Sequence, residues 1–516
     1  MENPPHTTRY STENPAGRRT LTLLFFAILL CWLPFVYAHL YCLGYACMDT
    51  WVMASPAAMA RAPLAIITPF VGTFDGQNSA WGLHWPGGPL LTSIFTPFLP
   101  HGPATFVAIS LFYWLLESLA AAALVRRLTA SRWMALCAFV FMIEDRTCFG
   151  DTWLQRYENL GNLFAIMAIM AMHSNRNPRL QLAVMAAGFF MLPLIHPVFS
   201  GLGLAWVAYL GLRTLLLKQP WRQFCAGLAG YAAGWATFVG YYWSRPWLYA
   251  IFINHYRLNI EMTRAKTPPG LRTFVEHFLA LDRPTYAGTI VYMFGFAGLA
   301  YLAYGLWKSG RLWREFLARE DMAIFAGLGL LATVVLVQQT SNIVYWTCPW
   351  PFAAIVTCYF IHRLMMDFPI RQRALAGVLL ALLIVHGSFL PARTYMWYKT
   401  GFVNLRAIVR NFAATLPQQG QLFVPEVLWD TFADGHRQVY VNQLPYYAGD
   451  PTQKRYASYI SSLMKSGDVL VLDKDQSHPT LIDPTQPGWK QIGKCKLVYR
   501  GPGGGHGFDM TAYQKE

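Results

Sequence analysis

Long apolar runs alternate with short polar stretches along most of the chain, and a helix needs about 20 apolar residues to cross a bilayer. The clearest runs are 21–44, 104–125, 224–243, 290–307, 323–337, 343–361 and 374–390. Two more runs lie within 180–217, divided by His196-Pro197. The runs are continuous rather than alternating, which favours helices over a β-barrel. The pattern therefore predicts an all-α polytopic membrane bundle over residues 21–400.

The positions of the basic residues follow the same alternation. If two shorter apolar runs, 133–148 and 157–172, also cross, about eleven spans place the basic loops on one side. Those loops carry Arg126, Arg127, Arg132, Arg176, Arg179, Arg213, Lys218, Arg222, Lys308, Arg311, Arg314, Arg319, Arg363, Arg371 and Arg373. This positive-inside bias predicts a cytoplasmic tail at 1–20 and a C-terminus outside. It also accounts for the net charge of +15 without a nucleic-acid partner.

The first run could be a signal peptide, because Arg18 and Arg19 form a basic flank before it. Its apolar core is longer than the roughly 7–15 residues of a signal peptide, and Val36-Tyr37-Ala38 is a poor cleavage site. We therefore expect a membrane anchor that is retained in the mature protein.

The pattern changes after about residue 401. Short β-like runs follow, QLFVPEV, QVYVN, DVLVLD and KLVYR, with a helical candidate, YASYISSLMK, between them. Residues 401–516 therefore predict a small extracytoplasmic α/β domain. The glycine-rich GPGGGHG lacks the Lys-Ser/Thr of a phosphate-binding P-loop, and a plain turn is the better interpretation.

Three of the predicted outer segments are more than simple connections: 46–103, 144–159 and 244–288. Loops of this length usually carry function. The first of them ends in HWPGGPLL, whose glycines and prolines predict a non-helical path. Only a short apolar run, 133–143, precedes the second, which predicts a helix that ends inside a protein-lined, water-filled cavity.

Acidic residues mark the outer ends of the first spans. Asp49 directly follows the first span, where it is either a solvated loop residue or a carboxylate at the mouth of an outer cavity. Asp145 and Asp151 are candidate ligands for a divalent cation such as Mg²⁺ or Mn²⁺. Glu158, beside Arg156, fits an acid that stabilises the first turn of the next helix.

Other candidate site residues lie in the outer segments as well. His84 and His196 are each as well explained by a polar contact as by a ligand role. Arg257, Arg264 and Lys266 lie on the side where cations are scarce, which favours either a bound phosphate or attraction to lipid headgroups. Glu117 lies within a span, where an acid suggests function by default.

The order of these features resembles the GT-C superfamily of integral-membrane glycosyltransferases, which includes bacterial aminoarabinose transferases and protein O-mannosyltransferases. In that superfamily an acidic residue follows the first span, as Asp49 does here, and His or aromatic residues with prolines close the long loop, as HWPGGPLL does. Arg156-Tyr157-Glu158, His196-Pro197 and the late VYWTCPWPF are similar to its later motifs. Asp49 lacks the tandem acid of the superfamily, because its neighbours are Met48 and Thr50.

The resemblance implies inverting transfer of a sugar from a polyprenyl-phosphate carrier to an extracytoplasmic lipid, glycan or protein acceptor. Asp49 would be the general base. The protein would lie in a bacterial plasma (inner) membrane. The substrate-binding residues would be His84, Arg156, Glu158, His196, Arg257, Arg264 and Lys266. Two alternatives stay open: a transporter or flippase for a lipid-linked or anionic solute, and an inactive GT-C-like scaffold.

Overall fold

A computed structural model gives the fold of the protein. It describes residues 15–37, 85–95, 98, 103–143, 157–174, 177–243, 249, 253, 257, 287–309, 316–338, 348–387, 392, 395, 399, 405–425, 439–443, 461–473, 482–501 and 504–516. Seven predicted site residues lie outside the described part: Asp49, His84, Asp145, Asp151, Arg156, Arg264 and Lys266.

Helices make up the described part before residue 400. In chain order they are α1 (Pro15–Tyr37), α2 (Gly87–Phe95), α3 (Pro103–Thr129), α4 (Arg132–Ile143), α5 (Glu158–Met172), α6 (Pro178–Ile195), α7 (Pro197–Leu217), α8 (Trp221–Trp243), α9 (Ala287–Ser309), α10 (Glu320–Gln338), α11 (Trp350–Asp367) and α12 (Gln372–Gly387). Each predicted apolar run overlaps one of these helices, and α6 and α7 are divided at His196 as predicted.

Six helices of the described part are long and apolar enough to cross a membrane. Their candidate spans are 17–34, 108–129, 178–195, 197–217, 288–308 and 369–387. The two shorter apolar runs that begin at residues 133 and 157 also overlap helices, α4 and α5. The chain is therefore an integral membrane protein, while the count of about eleven spans stays a prediction.

Small residues allow the helices of the bundle to approach closely. Gly230 of α8 lies against the backbone of Ala186 in α6, and a Cβ at Gly230 would overlap the Ala186 carbonyl oxygen. Gly234, one turn later, lies against the Phe190 carbonyl oxygen in the same way. Small residues commonly allow this close packing in membranes, because the hydrophobic effect does not drive helices together within lipid.

A small α/β unit follows the bundle, as predicted. It contains α13 (Leu405–Thr415) and strands β1 (Leu422–Pro425), β2 (Val439–Gln443), β3 (Val469–Asp473), β4 (Trp489–Gly501) and β5 (Gly504–Lys515), in the sheet order β2-β1-β3-β5-β4. β1 pairs in parallel with both β2 and β3, whereas β5 pairs antiparallel with β3 and β4. α13 packs on the sheet, where a Cβ at Gly493 would lie 3.3 Å from the Phe412 ring.

The end of this unit differs from the prediction. The glycine-rich stretch turns the chain as expected, between Gly501 and Gly504, but it then continues as the long strand β5. Polar residues and glycines conceal this strand in the sequence, because it is specified by pairing with two neighbours rather than by its own hydrophobic pattern.

Candidate active site

The end of the first long loop is held against two other predicted motifs. A Cβ added at Gly88 would overlap the ring carbons of Tyr157, and one at Gly87 would lie 2.7 Å from the Leu194 Cβ. Tyr157 directly precedes Glu158, and Leu194 lies two residues before His196. The described parts of three motifs that are far apart in sequence, Trp85–Gly88, Tyr157-Glu158 and Ile195–Pro197, therefore meet at one end of the bundle. We call this the site end and define it by Gly88, Tyr157 and His196.

The path of this loop end corrects the sequence prediction. The stretch is not helical at Trp85, but α2 begins at Gly87 and includes Pro89. Proline is compatible with a first helical turn, because its missing N–H would have no partner there in any case. Trp85 then packs on α8, stacked on Phe238 with ring centroids 4.5 Å apart.

Glu158 and His196 head two helices that touch just below them. Gly161 of α5 lies against the Phe199 ring of α7, where a side chain on Gly161 would overlap that ring. Glu158 and His196 each precede this contact by three residues, which is less than one helical turn. The contact therefore places both residues at the same depth, at the site end of the bundle.

His196 has a local structural role in addition to any binding role. Its backbone is extended, it ends α6, and its Nδ1 accepts a hydrogen bond from the Val198 N–H at 3.3 Å at the start of α7. The other ring nitrogen, Nε2, is not used by this cap. Glu158 is the first residue of α5 and is buried, and a carboxylate there is stabilised by the helix dipole.

Aromatic rings continue from Trp85 along the site end of α8. Phe238 contacts Tyr242 with ring centroids 4.9 Å apart, and Tyr242 contacts Tyr241 and Tyr249 at 5.0 and 5.9 Å. Tyr249 is about half exposed. Aromatic faces of this kind suit both sugar rings and isoprenoid chains, and they also suit the membrane interface.

The remaining predicted site residues are less well placed. Arg257 is described and exposed, whereas Arg264 and Lys266 of the same segment lie outside the described residues. Within the described part, no cluster of His, Cys, Asp and Glu is arranged to hold a metal ion. The proposed cation ligands Asp145 and Asp151 lie outside that part, so this finding leaves the prediction of a cation site untested.

The opposite end of the bundle carries a network of charged side chains. Arg127, near the end of α3, donates to the Met170 carbonyl oxygen at 2.8 Å and to the His173 carbonyl oxygen. Its Nε lies 3.2 Å from the Glu320 carboxylate at the start of α10. The end of α3, the end of α5 and the start of α10 therefore share this end, which we call the basic end.

Two further interactions extend the network. Asp321 accepts a 2.5 Å contact from Arg319 and a 2.6 Å hydrogen bond from the Tyr359 hydroxyl. The Tyr209 hydroxyl donates to the Leu317 carbonyl oxygen at 3.1 Å. Two of the predicted loop bases thus have specific partners: Arg127 joins three helix ends, and Arg319 pairs with the first turn of α10.

Arg213 is the most buried base of the network, with 8% of its surface exposed. Its guanidinium carbon lies 5.6 Å from the centroid of the Tyr209 ring, within cation–π range. Burial, together with the positive charges of Arg213 and Arg127, lowers the pKa of His173 to about 3. His173 is therefore neutral at physiological pH and adds no charge to the basic end.

Comparison with solved structures identifies the fold. ArnT from Cupriavidus metallidurans in the apo state matches with a TM-score of 0.56 and 12% identity, over 96% of this chain and 98% of that one. ArnT from the same organism bound to undecaprenyl phosphate matches with a TM-score of 0.51 and 13% identity, over 95% and 97% of the two chains. The chain has the fold of ArnT.

A third solved structure is less similar. The Archaeoglobus fulgidus oligosaccharyltransferase, in complex with Zn and sulfate, matches with a TM-score of 0.46 and 11% identity over 86% of this chain and 67% of that one. No protein-family model and no curated protein matches the sequence. The likeness to ArnT is therefore one of fold.

Tyr157 is the residue at this site to which sequence reasoning gave no role. Tyr157 lies between the basic and acidic residues of QRYEN, which draws attention to its position. Its contact with Gly88 could not be predicted, because a pair of glycines before a proline commonly marks a turn rather than a packing surface for an aromatic ring.

Proposed function

We propose that this protein is a membrane glycosyltransferase that moves a sugar from a polyprenyl-phosphate carrier to an extracytoplasmic acceptor. The observation that carries the proposal is the meeting of Gly88, Tyr157 and His196 at the site end, in a GT-C fold. A solved structure of this fold, ArnT, is bound to undecaprenyl phosphate, which supports a carrier of the same chemical class.

The reaction is a displacement at the anomeric carbon. An acceptor hydroxyl or amine attacks that carbon while its bond to the phosphate oxygen breaks, which inverts the configuration and releases polyprenyl phosphate. Asp49 takes the proton of the attacking group as general base. The leaving phosphate is already anionic and stable, so it needs neutralisation of charge rather than a general acid.

Cations of the third outer segment supply that neutralisation in this proposal. Arg257, Arg264 and Lys266 bind the carrier phosphate, the arginines by their planar fork and the lysine as a point charge. Asp145 and Asp151 would hold a divalent cation such as Mg²⁺ or Mn²⁺, which would supply further positive charge. The acceptor and the sugar are bound by His84, Arg156, Glu158 and His196.

The proposed orientation places the site end outside the bacterial plasma membrane. The N-terminus lies inside, and residues 401–516 form an extracytoplasmic domain after the bundle of 21–400. The support is the concentration of bases at the opposite end, where Arg126, Lys218 and Arg371 are exposed in addition to the buried network.

Mass spectrometry of the cell envelope tests the function without knowledge of the substrate. Lipids, glycans and proteins are compared between the parent strain, a strain that lacks the protein, and that strain complemented. We expect the loss of one sugar increment from an envelope component, accumulation of its polyprenyl-phosphate donor, and restoration on complementation. An unchanged envelope under conditions where the protein is expressed would contradict the proposal.

A transporter or flippase is the second candidate, and one observation favours it. Glu117 is 2% exposed within α3, where an ionisable group commonly belongs to a transport path. Of the other buried charges in the described part of the bundle, Arg213 and Asp321 lie at the basic end and Glu158 lies at the site end. Glu117→Gln separates the two candidates: it should leave sugar transfer intact, whereas a flippase would lose transport.

A further inference from the structure

α4 ends before it could cross a membrane. It has 12 residues, which corresponds to about 18 Å of helix against a hydrocarbon core of about 30 Å. Its last residues, Phe141, Met142 and Ile143, are fully buried in the bundle. The last four carbonyl groups of a helix have no partner within it, and the cost of leaving such groups unpaired is high inside a membrane protein.

Ring N–H groups from three other helices cap these carbonyls. The Trp114 indole of α3 donates to the Met142 oxygen at 3.0 Å. The Trp350 indole of α11 donates to the Phe141 oxygen at 3.2 Å, and His386 Nε2 of α12 lies 3.2 Å from the same oxygen. Because a carbonyl oxygen only accepts, the imidazole donates from Nε2.

Trp350 and His386 form a unit around the Phe141 carbonyl. Their rings are stacked with centroids 5.4 Å apart and an angle of 24° between the planes. Both side chains are buried, with 2% and 1% exposed. Two side chains on one carbonyl oxygen constrain the end of α4 in two directions, which a single hydrogen bond does not.

The capped end of α4 leads directly into the second outer segment. The chain leaves α4 at Ile143 and is next described at Tyr157, whose ring lies on Gly88. Residues 144–156 therefore begin at a capped, buried helix end and finish at a close-packed tyrosine. Asp145, Asp151 and Arg156 lie in this interval.

We propose that Trp350 and His386 are positioning residues, which hold the end of α4 so that the segment after it starts from a fixed point in the bundle. The donor N–H groups, rather than the ring volumes alone, carry this role. The part of the inference that concerns transfer rests on the proposed function, whereas the positioning of the α4 end does not.

Hydrogen exchange in the purified full-length protein tests the positioning. Trp350→Phe and His386→Leu each remove a donor, and His386→Gln keeps an N–H. Trp206→Phe is the matched control, because the Trp206 indole is equally buried but its Nε1 has no hydrogen-bond partner within the described residues. Peptides that cover 137–156 are compared with peptides from 203–217, at the basic end.

We expect about tenfold faster exchange over 137–156 in Trp350→Phe and His386→Leu, because each leaves the Phe141 carbonyl with one donor fewer. Over 137–156, His386→Gln and Trp206→Phe should stay close to the wild type, and 203–217 should not change in any of the Trp350 or His386 variants. Wild-type exchange in the two donor-removing variants would overturn the proposal. An equal increase in Trp206→Phe would overturn it too, since lost ring volume would then be the cause.

The level of envelope sugar in cells complemented with each variant tests the link to transfer. We expect Trp350→Phe and His386→Leu to lower it at unchanged protein abundance, with His386→Gln restoring it. Faster exchange combined with normal transfer would overturn the link to transfer. Faster exchange in a protein whose deletion leaves the envelope unchanged would instead refute the proposed function and leave the positioning of α4 standing.

Discussion

Gly88 lies so close to the ring of Tyr157 that a single added methyl group would overlap the ring carbons. Gly88 closes the first long loop, and Tyr157 opens α5. The contact fixes where the loop returns to the bundle, and Tyr157 is followed directly by the buried Glu158. A backbone-to-ring contact of this kind permits no substitution by a larger residue unless the loop end or the ring moves.

Gly88→Ala should therefore destabilise the protein by about 1–3 kcal/mol, the usual cost of overpacking a buried contact. Gly201→Ala is the control, because Gly201 lies in α7 and a Cβ there meets nothing within 4 Å. The thermal midpoint of unfolding of the protein in detergent measures both changes. Equal midpoints for the two variants would show that the Gly88–Tyr157 contact is not formed.

A second substitution isolates the contact. Tyr157→Leu removes the ring, so Gly88→Ala should cost less in the Tyr157→Leu background than in the wild type. Additive effects of the two substitutions on the free energy of unfolding would contradict direct contact, since contacting residues usually couple by about 0.5–3 kcal/mol.

The basic end gives a second stability prediction. Arg127→Gln removes the partner of Glu320 and the donor to the Met170 and His173 carbonyls, and we expect a loss of about 1–3 kcal/mol. Arg126→Gln, at the adjacent exposed position, should change stability by no more than about 0.5 kcal/mol. Thermal unfolding of both variants checks this, and indistinguishable midpoints would mean that Arg127 behaves as a free loop charge.

Hydrophobic runs predicted the helices well, because a span must be apolar whatever its neighbours are. The division at His196-Pro197 was visible for the same reason, as proline cannot continue a helix without losing a hydrogen bond. The start of α2 at Gly87 was missed, since glycine and proline disfavour helix interiors but are accepted in a first turn.

The sequence did not predict which distant segments would contact one another. Arg127, Arg213 and Arg319 look like other loop bases in the sequence. In the structure Arg127 bonds to the end of α5, Arg213 is buried over the Tyr209 ring of its own helix, and Arg319 pairs with Asp321 at the start of α10. The resemblance to GT-C transferases concerned the order of the motifs along the chain and did not predict the contact between Gly88 and Tyr157. No pattern indicated that Trp350 and His386 share one carbonyl oxygen, because a capping side chain from another helix leaves no local signature.

The orientation of the chain predicts the behaviour of reporter fusions. A reporter after Gly401 should be active outside the membrane, and one within 308–319 should be active in the cytoplasm. Alkaline phosphatase and green fluorescent protein at the two positions give opposite signals. A cytoplasmic signal after Gly401 would overturn both the orientation and the external site.

Substitution of the basic residues proposed to bind the carrier phosphate should weaken binding of the lipid donor. Arg264→Ala with Lys266→Ala should raise the apparent KM for the lipid donor while protein abundance stays normal, because both residues are proposed to bind the carrier phosphate. Arg179→Ala with Arg222→Ala, two exposed bases at the basic end, is the matched control for lost positive charge. An unchanged KM in the first variant would favour the interaction with lipid headgroups.

Asp49 is the proposed general base, so its substitution is the sharpest test of the proposed sugar transfer. The measurement is the level of the sugar-modified envelope component in the deletion strain complemented with Asp49→Asn, with Asp75→Asn as the control acid of the same loop. General-base loss typically costs about 10²–10⁴-fold in rate. The account predicts normal membrane abundance of Asp49→Asn, initial transfer lowered by at least about a hundredfold, and transfer near the wild type for Asp75→Asn. Wild-type transfer by Asp49→Asn would contradict the proposed mechanism.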